Sequence, residues 1–218
     1  MNGSDGAASP AGDTASAGTR GPRLETARLL LVVSGAASAG YLPFWVNWLR
    51  SGYPQAALRV VLTRSAERFV TRQSMALLSG SPVVPDVWAE DDVEPTPRHI
   101  HLAEWPDAVV VYPASAQFLA RLALGLADTP SILALQCTRA VVGLSPSVPP
   151  GMVDNPGYGR HLDLLRERHN IVVAPTQVGR SASTGREFNG PSSPLWTVLG
   201  LMEERRRELA RSSAGVLT

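Results

Sequence analysis

Apolar residues in this chain gather into short β-branched runs separated by stretches with helical spacing. Residues 29–33, 58–62 and 108–112 read as strands covered on both faces, and further short runs at 132–135, 140–144 and 171–174 read the same way. Between them the period changes. Trp45, Trp48 and Leu49 stand at i, i+3 and i+4, a helix carrying Phe69, Val70 and Met75 follows the second run, and Phe118, Leu119, Leu122 and Leu126 share a face over 115–127. A further helix is expected through Arg168. The last helix is the best marked, with Ser193 as its cap, Pro194 in its first position, and Leu195, Val198, Leu199 and Met202 as its apolar stripe.

Strands alternating with helices indicate parallel βαβ units. The expected fold is therefore α/β: one Rossmann-like (flavodoxin-like) domain with a parallel sheet flanked by helices. Prolines punctuate it. Pro43 sets the first helix to begin near Leu42 or to kink there, Pro113 is expected to end the third strand, and Pro82, Pro85, Pro95 and Pro97 with the acidic run at 90–92 mark 79–97 as an irregular surface excursion.

At 218 residues the chain suits a single domain. Residues 1–23 hold no large apolar side chain beyond Met1 and read as a disordered tail, 24–212 as the domain and 213–218 as a second tail. Twenty basic against nineteen acidic side chains leave no basic face for nucleic acid, and Arg205, Arg206 and Arg207 after Glu203 and Glu204 read as a solvated helix end. The lone Cys137 excludes an internal disulfide and a cysteine-rich metal site, so no metal is expected, and a reducing cytoplasm is the simplest compartment. No apolar signal region stands at the N-terminus and no run approaches the roughly 18 apolar residues of a spanning helix, so no membrane partner is expected.

Ligands of doubly wound sheets bind beyond the carboxyl ends of the strands. Three small-residue loops, 34–40, 63–65 and 113–117, occupy such positions, and Ser38, Thr63, Ser65 and Ser115 offer hydroxyls to a phosphate. On spacing alone they serve equally well as turn and cap residues, and they match neither a GxGxxG nor a GxxxxGK[ST] pattern.

The stretch from His99 to Asp128 tips that balance. His99-Ile100 before a strand, the loop Pro113-Ala114-Ser115-Ala116 after it, and Gly125-Leu-Ala-Asp128 resemble motifs of the homo-oligomeric flavin-containing cysteine decarboxylases, within them the peptidyl-cysteine decarboxylases of ribosomal peptide (lanthipeptide and thioamitide-type) biosynthesis. The resemblance covers about residues 28 to 202. It implies FMN, with FAD as the alternative, held by Ser38, Thr63, Ser65, Pro113, Ala114 and Ser115, and it implies His99 as the active-site histidine. In an extended segment His101 would share a face with His99, so only the motif separates them. His161 and His169 read as surface residues.

A second family motif, Pro-x-Met-Asn-x-x-Met-Trp, aligns with residues 146–153. Pro146 and Met152 are kept, whereas Val148, Pro149 and Val153 replace methionine, asparagine and tryptophan, and Gln117 stands where the family has an asparagine. Proline has no donor, so position 149 does not hold a substrate carboxylate in the family's manner. Thr184-Gly-Arg186 resembles part of a mobile substrate-covering segment, and residues 179–193 are rich in the small residues of a lid.

Gln117, Met152 and Arg186 are thus the implied substrate-binding residues. The resemblance implies oxidative decarboxylation of the C-terminal cysteine of a precursor peptide to an enethiol, in a homotrimer or a dodecamer of trimers, with other peptide-modifying enzymes as further partners. Two alternatives stay open: phosphopantothenoylcysteine decarboxylase, against which stand Pro149 and the lack of a fused synthetase segment, and a flavin-binding scaffold without decarboxylase activity.

Overall fold

A computed structural model describes residues 21–88, 95–181 and 184–215. The acidic run at 90–92, positions 1–20 of the expected N-terminal tail and 216–218 of the C-terminal one lie outside the described residues. Six strands, β1 (Arg28–Val33), β2 (Ala57–Leu62), β3 (Val83–Pro85), β4 (Ala108–Ser115), β5 (Val141–Ser147) and β6 (Ile171–Val173), form one parallel sheet in the order β3-β2-β1-β4-β5-β6. This is the Rossmann-type order, and the chain reverses its direction of travel across the sheet between β1 and β4. An antiparallel pair, β7 (Thr176–Arg180) and β8 (Glu187–Ser192), stands apart from it.

Alternate residues of β1 enter opposite layers. Leu29, Leu31 and Val33 meet α1 (Leu42–Gly52), α2 (Arg72–Ser79) and α7 (Leu195–Gly215) in one core. Leu30 and Val32 meet α3 (Arg98–Glu104), α4 (Ala116–Ala123), α5 (Pro130–Cys137) and α6 (Pro156–Arg166) in the other. With both faces covered, the strands need no polar alternation. Leu31 is fully buried, and truncating such a side chain to alanine costs about 2–5 kcal/mol.

Several local expectations need correction. The run 132–135 is not a strand but the buried middle of α5: Pro130 starts that helix, and Ile132, Ala134 and Leu135 pack so completely that no polar face betrays it. Pro113 does not end β4, which runs on to Ser115; the register with β5 shifts between Val111 and Ala114, and that irregularity accommodates the missing donor. Pro146 likewise lies inside β5, past the apolar run 140–144 read as its extent.

Phe69 and Val70 precede α2, whose start is fixed by the Thr71 hydroxyl accepting from Ser74 N at 3.1 Å. The first helix does begin at Leu42, after a 3-10 turn at Ala37–Tyr41. Ser193 does not cap α7; its hydroxyl donates to the Pro175 carbonyl. Glu203 is not solvated either. It is 3% exposed and accepts from Thr26 Oγ1 at 3.2 Å and Arg206 Nε at 3.1 Å, well inside a helix that continues to Gly215.

Arg206 also pairs with Glu25, and Tyr53 donates to the Pro22 carbonyl at 2.7 Å. These contacts tie residues 22–26 to the domain. No helix among the described residues is long and apolar enough to cross a membrane.

Candidate functional site

The carboxyl ends of β1, β2, β4 and β5 converge on a knot of hydroxyl groups. Ser34 donates from Oγ to the Pro113 carbonyl at 2.8 Å and accepts from Ser115 N at 2.7 Å, locking the loop after β1 to the end of β4 across the switch point. Gly35 lies against the loop after β2. A Cβ there would stand 2.4 Å from Ser65 Cβ, so only glycine lets the two loops touch. Thr63 Oγ1 accepts from Ala66 N at 3.2 Å and keeps its own proton to donate, while Ser65 is exposed. Ser115 Oγ caps α4 through Phe118 N at 3.3 Å. Part of each hydroxyl's capacity is thus spent on turns and caps, yet the hydroxyls still cluster at one end of the sheet.

Ser38 Oγ meets Ser147 Oγ at 2.8 Å. In such a pair one hydroxyl donates to the other, and the second retains a proton for a third group. Ser145, two residues upstream of Ser147 on the same face of β5, is wholly buried with no partner for its hydroxyl. Above Ser38 opens a cavity of about 300 Å³ walled by Tyr41, Phe44, Trp45 and Tyr112 and by Ser192 at the base of the β7–β8 hairpin. Among the described residues its lining carries no charged side chain. Burial pushes the Tyr112 phenol up, which keeps it a neutral donor.

These features fit a phosphorylated planar cofactor: unspent hydroxyls beside a glycine-tight turn for the phosphate, and an aromatic-walled slot for the ring. Among the expected cofactor residues the structure gathers Ser38, Thr63, Ser65, Pro113, Ala114 and Ser115 at one end of the sheet. The sequence reading missed Ser147 and Tyr112. Ser147 occupies the unassigned position of the Pro-x-Met-Asn motif, and the alternation along β5 is the signal that would have found it.

His99 lies elsewhere. It is the second residue of α3, not part of an extended segment, so His101 sits about 200° away around the helix and points to solvent. His99 is half-buried, its Nδ1 is shut off from solvent without a hydrogen-bond partner, and its ring packs edge-on against Trp88 with centroids 5.7 Å apart. Nε2 is the nitrogen left for proton exchange. Because α3 packs in the second core while Trp45 and Tyr112 belong to the first, His99 does not line the 300 Å³ cavity.

The expected substrate residues are dispersed as well. Gln117 is exposed at the start of α4, and Met152 opens a short 3-10 turn (Met152–Asp154) that packs on the second core. Arg186 is exposed at the tip of the hairpin. The segment expected to be a flexible lid is largely this hairpin, pinned at its base where Val148 N donates to the Gly190 carbonyl at 2.9 Å and Ser192 Oγ to the Pro146 carbonyl at 3.2 Å. It therefore rides directly on the loop that carries Pro149.

A model of the Flavoprotein family matches residues 19–186. The chain is 31% identical over 163 residues to the cypemycin cysteine dehydrogenase (decarboxylating) of a Streptomyces species, covering 74% of this chain and 83% of that protein. The crystal structure of the cypemycin decarboxylase CypD superposes with a TM-score of 0.70 at 26% identity, over 86% of this chain and 98% of that one. The FMN-dependent cysteine decarboxylase TvaF from thioviridamide biosynthesis gives a TM-score of 0.64 at 30% identity, over 82% of this chain and 96% of that one. The coenzyme A biosynthesis bifunctional protein CoaBC of Mycobacterium tuberculosis is 36% identical over 160 residues, which are 72% of this chain and 37% of that protein.

Proposed function

The chain belongs to the Flavoprotein family, and from that premise we propose that it is an FMN-dependent decarboxylase that acts on the C-terminal cysteine of a ribosomally made peptide. Its likeness to cypemycin decarboxylase and TvaF supports the reaction class. The observation that favours a peptide over a small phosphorylated thiol is the uncharged lining of the cavity at Ser38, rimmed by the exposed rings of Tyr41 (72%) and Phe44 (59%). A peptide end can lay apolar side chains on such a rim, whereas a substrate phosphate there would meet aromatic faces and no charged partner.

Ser38, Thr63, Ser65, Pro113, Ala114 and Ser115 would hold FMN, to which Ser147 adds a hydroxyl through Ser38. When bound, FMN supplies two-electron oxidising capacity, which converts the cysteine CH₂–SH to a thioaldehyde CH=S. Carbon dioxide then leaves from the adjacent carbon because the electron pair delocalises onto sulfur, and an enethiolate remains. His99 handles the proton at Nε2, taking it from the thiol as the base or holding the sulfur in place. Met152 and Gln117 contact the peptide end, and Arg186 on the hairpin pairs with its carboxylate in place of the donor that Pro149 lacks.

The separation of His99 from the Ser38 cavity supports a homotrimer, alone or in a dodecamer of trimers, in which one chain's His99 serves its neighbour's cavity. Reduced cytoplasm and a precursor peptide, with other peptide-modifying enzymes nearby, complete the reading. The 36% identity to CoaBC favours one competitor, phosphopantothenoylcysteine decarboxylase. Mass spectrometry separates them. A cysteine-terminated peptide that loses carbon dioxide together with two hydrogens establishes the proposed activity, whereas turnover of phosphopantothenoylcysteine alone refutes it, and bound flavin without either reaction leaves the scaffold reading.

A further inference from the structure

Among the described residues His99 has no hydrogen-bond partner at its buried nitrogen, where such a bond is the usual device that fixes an imidazole's orientation. The ring contact that takes its place is Trp88, set at 71° to the imidazole with centroids 5.7 Å apart. Trp88 is 46% exposed and lies beyond the end of β3, where a side chain without anchors would sample several rotamers.

It is anchored on both sides. Its indole Nε1 donates to the Asp128 carbonyl at 3.1 Å, and the Asp128 carboxylate accepts from Arg121 at 2.6 and 3.0 Å, which fixes that turn to α4. Along its own backbone, the Val87 carbonyl accepts from Arg98 at 3.1 Å, and the buried Asp86 accepts from Ser131 N at the start of α5 at 2.8 Å. Segment 86–88 is thereby tied to the helix that carries His99 and to the Gly125–Asp128 turn at once.

We propose that Trp88 is a positioning residue that sets the orientation of the His99 imidazole, with the Asp128 turn as its anchor. The inference rests on the reading of His99 as the proton-handling residue. It also gives the Gly125-Leu-Ala-Asp128 motif a role in this chain: its last carbonyl holds the indole that holds the histidine.

The test uses the full chain loaded with FMN and a cysteine-terminated peptide, comparing wild type with His99→Ala, Trp88→Leu and Trp88→Phe. Trp88→Leu keeps apolar bulk and Trp88→Phe keeps a ring, so folding survives in at least one. Trp88→Leu is expected to lower kcat by about ten- to a hundredfold with KM and bound flavin within about twofold of wild type, as misplacement of a reacting group by an ångström does. The His99 imidazole C–H resonances, assigned by their loss in His99→Ala, should move in Trp88→Leu and return toward wild type in Trp88→Phe together with part of kcat. Unchanged kcat and unmoved resonances in Trp88→Leu, beside an inactive His99→Ala, overturn the positioning role alone. A fully active His99→Ala overturns the reading beneath it.

Discussion

At the residue scale the protein depends on how little separates a reactive side chain from a structural one. His99→Ala should abolish decarboxylation while fold and flavin stay, and His101→Ala should leave activity near wild type, because α3 turns the two rings about 200° apart and leaves His101 in solvent. Product mass spectra for both variants check this, and equal loss at the two positions would contradict it. Ser115 shows the opposite balance. Its hydroxyl caps α4, so Ser115→Ala should cost about 1 kcal/mol of stability through the cap before any effect on flavin, measurable as a lower denaturation midpoint.

The sequence held His99 only through its motif, since a single histidine carries no periodic signal. Its helical setting was hidden because α3 is seven residues long and buries only Leu102 and Ala103, too little to write a helical period. Trp88 and Ser147 were invisible for a different reason: each matters through a partner far along the chain, Asp128 in one case and Ser38 in the other.

At the element scale five of the six sheet strands were legible because their cores are runs of β-branched and aliphatic residues, and covered strands are written that way; the sixth, β3, is a three-residue strand paired to β2 inside the Pro-rich stretch 79–97 that reads as an irregular excursion. Where the buried part of a helix is a short unbroken apolar run the same aliphatic composition misleads, as at residues 132–135 of α5. The hairpin β7–β8 was read as a loose lid because its glycines and serines resemble linker composition; its two strands pair with each other, and hydrogen bonds to β5 and the loop after it, remote in sequence, pin its base. Gly190 is the critical point of that contact. A Cβ there would lie 2.5 Å from the Val148 carbonyl oxygen and 2.6 Å from the Phe188 ring, so Gly190→Ala must displace backbone.

Overpacking of this kind costs about 1–3 kcal/mol. The variant should therefore melt lower and, because Val148 and Pro149 move with the hairpin, use its peptide with a raised KM. Arg186→Ala at the far end of the hairpin should spare stability and cut kcat/KM by about one to two powers of ten, the worth of one charge-assisted bond. An unchanged specificity constant would reduce Arg186 to a tip residue.

At the scale of the whole molecule, ion pairs fasten the amino end of the sheet while the proposed site occupies the other. Arg28 opens β1 and holds Asp107, just before β4, through a 2.7 Å bond that keeps the Asp107 carboxyl below its usual range; the Arg206 guanidinium does the same for Glu25. Carboxylates with lowered folded-state pKa stabilise the fold above their unfolded values and lose that contribution as pH falls through the folded ones. Melting temperature should accordingly be flat near neutrality and decline below about pH 4, where unfolded Asp and Glu titrate. Asp107→Asn should lower the neutral plateau slightly and shallow the acid decline.

The proposed assembly carries the most demanding prediction, since it follows from the two faces of one sheet. α3 with His99 packs on one side and the Ser38 cavity opens on the other, so a site shared between chains uses His99 from one copy and Ser38 from the next. In a cyclic oligomer such contacts are heterologous, and each interface joins two different surfaces. Coexpression of His99→Ala with Ser38→Leu, each inactive alone, would then give mixed trimers in which about one interface in three unites an intact His99 with an intact cavity. Recovered activity near that fraction, in particles carrying both affinity tags, supports the shared site. Mixed particles as inactive as either parent would place His99 and the cavity in the service of the same chain, and the element that brings them together would then have to move.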